Sequence, residues 1–326
     1  MTGIDAVMRS IDRWESFLIS CHIDPDPDCV GSILALDWLL ERLGKRAQPV
    51  SHDAMLPQWR FLPRIDRVVG PDRVAPGSSA TWDSLIAVDC EVQRTGDAAP
   101  LADAVREVIN IDHHVTNPGS GHVNWVRPEA AAAGEIVYDL IEAYQVPLDA
   151  DVATLLYAAI MADTGSFRFS NTSARVFEIA SRLVRAGARP DVISREIYDT
   201  RSWSYVRLLG RVLETLKRSG DGRVAWIRLT KAMLVEEGAR EDESEGLIQY
   251  PRMIDGVEVA IIFRELDDNR IRVGFRSRES VDVSALAQEF GGGGHARASG
   301  CTLSGTLEDV ERRVVERAVA FARWVS

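Results

Sequence analysis

Residues 21–32 read Cys-His-Ile-Asp-Pro-Asp-Pro-Asp-Cys-Val-Gly-Ser, and the fold turns on how this stretch is understood. His22, Asp24, Asp26 and Asp28 fall within seven residues. Carboxylates this close repel one another, and a folded chain tolerates them best when a cation shares them. Pro25 and Pro27 disfavour a helix through the acidic stretch, so the chain must carry these side chains across a turn. The run before it, Ser-Phe-Leu-Ile-Ser-Cys-His at 16–22, predicts a buried strand ending at that turn. A helix is predicted from near Asp28 through Gly31, Leu34, Leu36, Trp38, Leu39, Leu40 and Leu43. In open α/β sheets, ligands bind beyond the carboxyl ends of the strands, where His22, Asp26 and Asp28 would stand. Taken alone, the stretch is equally a turn with an Asp helix cap and a surface His. The decision rests on what the remaining chain supplies.

Two further apolar runs end in the same manner. Residues 84–90, Ser-Leu-Ile-Ala-Val-Asp-Cys, read as a buried parallel strand that stops at Asp89. Residues 105–114 lead through Val105, Val108, Ile109 and Ile111 into Asp112-His113-His114. Either alone is a turn or a cap, but three strand ends now carry ligand-type residues. An opening helix is predicted at 3–14, and further helices at 129–144 and 149–162. The last runs into Ala162-Asp163-Thr164-Gly165, where Gly165 is a helix stop and Asp163 sits at a polar turn. His52 and Asp53 either line the same cleft or belong to a polar loop.

The chain has 326 residues, enough for two domains, with 46% hydrophobic and 27% charged residues, as in an ordinary globular protein. Its net charge of −11 weighs against a grip on long duplex nucleic acid and suits a small anion held through metal ions. Cys21, Cys29, Cys90 and Cys301 show no CxxC spacing and read as reduced thiols; a thiolate metal ligand among the first three is the minor alternative. No secretory layout opens the chain, and no run approaches the roughly 20 apolar residues of a membrane span. The expectation is a soluble, cytoplasmic protein with no membrane partner; a homodimer is compatible with it.

Helices are predicted at 172–187, 190–200 and 203–217, and the second half changes character. Strands are predicted at 223–229, 257–265 and 270–277. In the last, Ile271, Val273 and Phe275 alternate with Arg272, Gly274 and Arg276, which aims Arg276 away from the core. A helix at 283–290 leads into Gly291-Gly292-Gly293-Gly294-His295-Ala296-Arg297, followed by a strand and a helix at 307–324. Glycines let a backbone approach a ligand closely and aim N–H groups at an anion. Phosphate or nucleotide contact is preferred here over a flexible linker.

Collected, the ligand candidates are His22, Asp26, Asp28, Asp89, His113 and Asp163, suited to two divalent ions. Two metals about 3.5–4 Å apart need a shared ligand, and Asp89 is the assigned bridge. His22, Asp26 and Asp89 form one site; Asp28, His113 and Asp163, with Asp89, form the other. Mixed nitrogen and oxygen donors suit Mn²⁺, Co²⁺, Fe²⁺ or Zn²⁺ over Ca²⁺, with Mn²⁺ the choice. A water shared by two cations becomes hydroxide near neutral pH and attacks phosphorus in line. His114 is assigned to the phosphate or the departing oxygen, and Asp112 to orienting a neighbouring imidazole.

These motifs carry a resemblance. His-x-x-Pro-Asp-x-Asp at 22–28, Asp89, Asp-His-His at 112–114 and Asp163 in Ala-Asp-Thr-Gly are similar to the four motifs of the DHH phosphoesterase superfamily. Gly-Gly-Gly-Gly-His at 291–295 resembles the motif of its DHHA1 domain. Nearly the whole chain resembles stand-alone DHH–DHHA1 proteins of the nanoRNase and pAp-phosphatase type. The resemblance implies an α/β DHH domain with a mainly parallel sheet flanked by helices at 1–188. It also implies a helical linker at 189–220 and a smaller α/β DHHA1 domain at 221–326, across a cleft. It further implies that Arg276, Gly292, Gly293, Gly294 and His295 hold the substrate's far phosphate or nucleoside. Pro27 stands where the family often has Gly, and Ser299 where Ala is common; neither removes a ligand.

The function expected is Mn²⁺-dependent hydrolysis of short oligoribonucleotides and of 3′,5′-bisphosphonucleosides such as pAp. The alternatives are a cyclic di-nucleotide phosphodiesterase and a nucleotide-binding sensor without catalysis. A pyrophosphatase ranks lower, because a base-reading second domain would be wasted on it.

Overall fold

The computed structural model describes residues 2–74, 81–244, 246–278 and 281–324. The chain divides into two compact units, Met1–Thr200 and Arg201–Ser326. In the first, α1 (Ile4–Arg13) precedes β1 (Ser16–Ser20), α2 (Pro27–Arg42) and β2 (Arg46–Val50). Then come β3 (Ser84–Val88), β4 (Glu107–Asp112), β5 (Val123–Val126), α3 (Ala133–Ala143), α4 (Ala150–Asp163), α5 (Ala174–Ala186) and α6 (Pro190–Ser194).

The five strands run parallel in the order β2-β1-β3-β4-β5. Every residue of β1, β3 and β4 is buried, as expected of parallel strands covered on both faces. This order reverses direction between β1 and β3, and that switch point is where open sheets bind ligands. Helix α2 is buried along most of its length and lies tight on α4: a β-carbon at Gly31 would stand 2.6 Å from the Leu155 carbonyl oxygen. At the sheet margins, Thr2 bridges to Asn124 of β5, and the Gly3 N–H donates to the Asn124 carbonyl at 2.9 Å. On the far side, β2 carries Pro49, tolerated on an edge strand, and Val50 bridges to Val69.

Several expectations shift. The strand predicted at 16–22 stops at Ser20, so His22 belongs to the turn itself. The helix predicted from 129 starts at Ala133, because the Asp28 carboxylate takes up the N–H groups of Ala133 and Gly134 and fixes the first turn there. The helix predicted to 217 ends at Leu213. Strands β2 and β5 were not anticipated; four or five residues leave little periodic signal.

The second unit holds α7 (Trp203–Leu213), β6 (Lys217–Arg218), β7 (Val224–Leu229), α8 (Lys231–Glu237), α9 (Gln249–Met253), β8 (Val259–Glu265) and β9 (Arg270–Ser277). It closes with α10 (Val283–Gln288), β10 (Gly293–His295), β11 (Ala298–Ser304) and α11 (Leu307–Trp324). Its sheet order is β10-β11-β9-β8-β7-β6, with β7 and β8 parallel and the other pairs antiparallel. Ile261, Phe263, Val273, Phe275, Val310 and Val314 belong to its main core. A smaller cluster of Leu208, Val212, Ile227, Ala260 and Ile262 occupies the opposite face. Arg276 alternates with Phe275 as predicted, but the face it shares with this second cluster leaves it half-buried.

The glycine run is ordered. Gly293 pairs with Gly300 and Gly294 with Ser299. A β-carbon at Gly292 would stand 2.1 Å from the Gly300 carbonyl oxygen, and one at Gly294 would stand 2.6 Å from that of Ala298. Close approach to β11 therefore already demands glycine at both, whereas Gly293 faces open space. The backbone of His295 lies in β10; its side chain lies outside the described residues.

Candidate metal centre

Each strand end at the switch point delivers its residues differently. Beyond β1, Asp26 is the N-cap of α2: its Oδ1 accepts from the Cys29 N–H at 3.0 Å, and Pro27 takes the first helical position, which suits its fixed φ. Asp28, one residue into the helix, is fully buried and accepts from Ser32 Oγ (3.2 Å), Ala133 N (2.7 Å) and Gly134 N (2.9 Å). Beyond β3, Asp89 adopts φ +61, a left-handed conformation rare for a residue with a β-carbon. Its carboxylate stands between two imidazoles. Oδ2 is 3.5 Å from His22 Nε2, and Oδ1 is 3.2 Å from His113 Nε2. His113 Nε2 also lies 3.2 Å from Asp163 Oδ2, at the end of α4, and 3.9 Å from Asp28 Oδ2.

All six predicted ligand residues thus come together. His22, Asp26, Cys29 and Asp89 present donor atoms within 4.8 Å of one another, as do Asp28, His113 and Asp163, and Asp89 with His113 and His114. Asp89 contributes to two of these groups. Asp112, at the end of β4, is buried beneath them. Its Oδ1 accepts from the His113 N–H (2.7 Å), the His114 N–H (3.1 Å) and His114 Nδ1 (2.7 Å), and Asn117 Nδ2 donates to Oδ2. The imidazole that Asp112 orients is therefore that of His114.

Electrostatically the cluster is frustrated. Burial raises the Asp28 carboxyl, and the Asp89 charge adds to it, up to about 7. Burial and the same neighbour raise Asp26, and burial with the Asp28, Asp26 and Asp89 charges raises Asp163 well above the usual range. Burial opposes charging of the two imidazoles, but Asp89 leads the carboxylates that overcome it, bringing both His22 and His113 up to about 10. Asp89 moves the other way: burial would raise it, but the neighbouring His113 and His22 rings hold it below the carboxylate range.

The donors fit divalent ions on independent grounds. Asp89 Oδ1 is buried and finds no hydrogen-bond partner among the described residues, despite the nearby His113 ring. His22 Nδ1 lies 2.7 Å from the Ile23 carbonyl oxygen and His113 Nδ1 lies 3.2 Å from that of Ala130. A carbonyl can only accept, so each Nδ1 carries the hydrogen in the neutral ring, leaving an Nε2 lone pair facing carboxylate oxygens. A cation resolves that opposition, and backbone support of the far nitrogen is usual for metal-binding histidines.

Sequence reasoning passed over two participants, Asn117 and Asn171, and held a third, Cys29, only as a minor alternative. Cys29 joins the first donor group, but burial pushes its thiol well up. Asn117 braces Asp112, and Asn171 Nδ2 donates to the carbonyls of Asp163 and Ala131. Nothing local in the sequence marks the two asparagines. His52 and Asp53 brace loops: Asp53 Oδ2 accepts from the Asp24 N–H at 2.7 Å, and His52 Nδ1 from that of Asp97 at 3.2 Å.

Residues 16–160 match the DHH family, N-terminal domain, and residues 224–323 match the DHHA1 domain. The chain is 35% identical over 300 residues to the bifunctional oligoribonuclease and PAP phosphatase NrnA of Thermus thermophilus, covering 91% of this chain and 87% of that protein. It is 27% identical to the protein of the same name from Bacillus subtilis, covering 91% and 92%. The crystal structure of an exopolyphosphatase-related protein from Bacteroides fragilis superposes with a TM-score of 0.93 at 27% identity, over 99% of this chain and 97% of that one.

Proposed function

The chain belongs to the DHH family and carries a DHHA1 domain, and from that premise we propose a two-metal phosphohydrolase that cleaves short oligoribonucleotides and removes a phosphate from pAp. The observation that carries this reading is Asp89, whose two oxygens face the Nε2 atoms of two separate histidines. His22, Asp26 and Asp89 hold one ion; Asp28, His113, Asp163 and Asp89 hold the second. Mn²⁺ is the ion assigned, on the mixed nitrogen and oxygen donors. When bound, the ions acidify water and offset charge on the phosphoryl oxygens.

The protein's own groups do the rest. Asp112 fixes the His114 ring through Nδ1, which aims its other nitrogen for hydrogen bonding to the phosphate or for protonating the departing oxygen. Asp28, locked by three hydrogen bonds, loses little freedom on binding an ion. Arg276, Gly292, Gly293, Gly294 and His295 bind the nucleotide. Arg276→Ala is expected to raise KM about 10-fold or more with kcat little changed; unchanged constants remove this role.

The test is incubation with Mn²⁺ and a labelled dinucleotide, pAp or cyclic di-AMP. Mononucleotide release and conversion of pAp to AMP are expected. Turnover confined to cyclic di-AMP replaces the reading with a cyclic di-nucleotide phosphodiesterase. Tight binding without turnover of any replaces it with a sensor.

A further inference from the structure

The ligands assigned to the second ion converge on one short stretch of backbone. The Ala130 carbonyl faces His113 Nδ1 at 3.2 Å, and the Ala133 and Gly134 N–H groups donate to Asp28 at 2.7 and 2.9 Å. Between them, the Ala131 N–H donates to Glu135 Oε2 at 2.9 Å, and the Ala131 carbonyl accepts from Asn171 Nδ2 at 3.0 Å. The same Nδ2 donates to the Asp163 carbonyl at 3.1 Å. Asn171 is therefore a cross-link. Its amide ties the backbone that supports His113 and Asp28 to the residue that supplies the remaining carboxylate.

Asp163 depends on that tie. The Asp28 carboxylate is fully buried and accepts from Ser32, Ala133 and Gly134. The Asp163 side chain is 27% exposed, and its carboxylate meets only His113 Nε2, at 3.2 Å, among the described residues. Its place is thus set through its backbone. Asp163 closes α4, and carbonyls in the last turn of a helix lack a partner within the helix. The chain then reverses through Gly165 (φ +55), Ser166 (φ +61) and Phe167 (φ +60). Such conformations at residues with a β-carbon persist only where their surroundings fix them. Here Ser166 N donates to the Met161 carbonyl at 2.7 Å and Phe167 N to Thr164 Oγ1 at 3.1 Å. The reversal returns Asn171 to the helix end that the chain has just left. The first ion's ligands are held by neighbours in sequence instead: His22 Nδ1 faces the Ile23 carbonyl, and Asp26 caps its own helix at Cys29.

We propose that Asn171 is a positioning residue for the second ion, and that it sets that ion's affinity separately from the first's. This rests on the two-ion centre of the phosphohydrolase reading above and adds a residue that touches neither ion nor substrate. Losing the amide unties Asp163 and takes a donor from the carbonyl of buried Ala131. No ligand and no charge is removed, so the effect falls on geometry alone. Partners standing behind metal ligands are typically worth about 10- to 100-fold in metal affinity.

The experiment titrates metal-free wild type, Asn171→Ala and Asn171→Asp with Mn²⁺ by calorimetry, and follows the ions by electron paramagnetic resonance. Asn171→Asp keeps the shape and removes both N–H donors, and Asn171 is exposed, so neither change disturbs a core. Wild type is expected to take up two ions whose spins couple. In both variants one ion should keep its affinity within about 2-fold while the other binds roughly 10- to 100-fold more weakly. The uncoupled spectrum of an isolated Mn²⁺ should then persist at concentrations that fill wild type. With His22→Ala disabling the first site, adding Asn171→Ala should weaken the remaining ion by the same factor. If the variants match wild type, if both ions weaken equally, or if the remaining ion is unaffected in the His22→Ala background, the positioning role is overturned while the metal centre stands. If wild type takes up two coupled ions yet hydrolyses no nucleotide, the positioning role stands and the phosphohydrolase reading falls. If wild type binds no ion, both fall together.

Discussion

Asp89 shows how much one residue can concentrate. It holds a backbone conformation that costs about 1–3 kcal/mol, and it keeps a buried oxygen without a hydrogen bond among the described residues. Asp89→Asn preserves its shape and removes its charge. The variant is expected to lose at least about a thousandfold in turnover and to bind fewer ions by calorimetry; unchanged stoichiometry argues against a bridge. Titration offers a second check. Ion binding needs neutral imidazoles and ionised carboxylates, yet burial and neighbouring charge lift Asp28 to about 7, and the carboxylates lift His22 and His113 to about 10. Uptake must therefore expel protons. Apparent affinity is expected to rise with pH between about 6 and 9, and the binding heat to vary with the buffer's ionisation enthalpy. A pH-independent affinity would contradict this. His22, Asp26, Asp28, Asp89 and His113 were legible because hydrophobic runs break off at them. Asn117 and Asn171 were not, since each braces its neighbour across an irregular loop that leaves no periodic signal.

Among the elements, the pairing of α2 with α4 matters most, because α2 carries Asp28 and α4 ends on Asp163. The two helices meet at Gly31, where a methyl group would collide with the Leu155 carbonyl. Gly31→Ala is expected to destabilise by about 1–3 kcal/mol, seen as a fall of several degrees in Tm by circular dichroism; an unchanged melt would show that the helices can part without cost. Long amphipathic or buried segments such as α4 and α11 could be read directly from their periodicity. The true start of α3 could not, because a carboxylate 105 residues upstream sets it. Short β2 and β5 were missed for want of length, though Pro49 in β2 is natural once the strand is known to lie at a margin.

At the scale of the whole molecule, two units each own a hydrophobic core, and a net charge of −11 dominates the long-range field. Duplex DNA of a hundred base pairs is expected not to shift in a gel with this protein at physiological salt, while dinucleotide turnover proceeds; a salt-sensitive complex would contradict that. Among the described residues, no helix is long and apolar enough to cross a membrane. The shielding of β5 has its own consequence. Thr2 and Gly3 occupy backbone groups that an open strand would offer to any neighbouring chain. That pairing is expected to limit edge-to-edge association there. Removing it is expected to promote self-association even with every catalytic group intact, read as a larger species by light scattering; an unchanged size would contradict this.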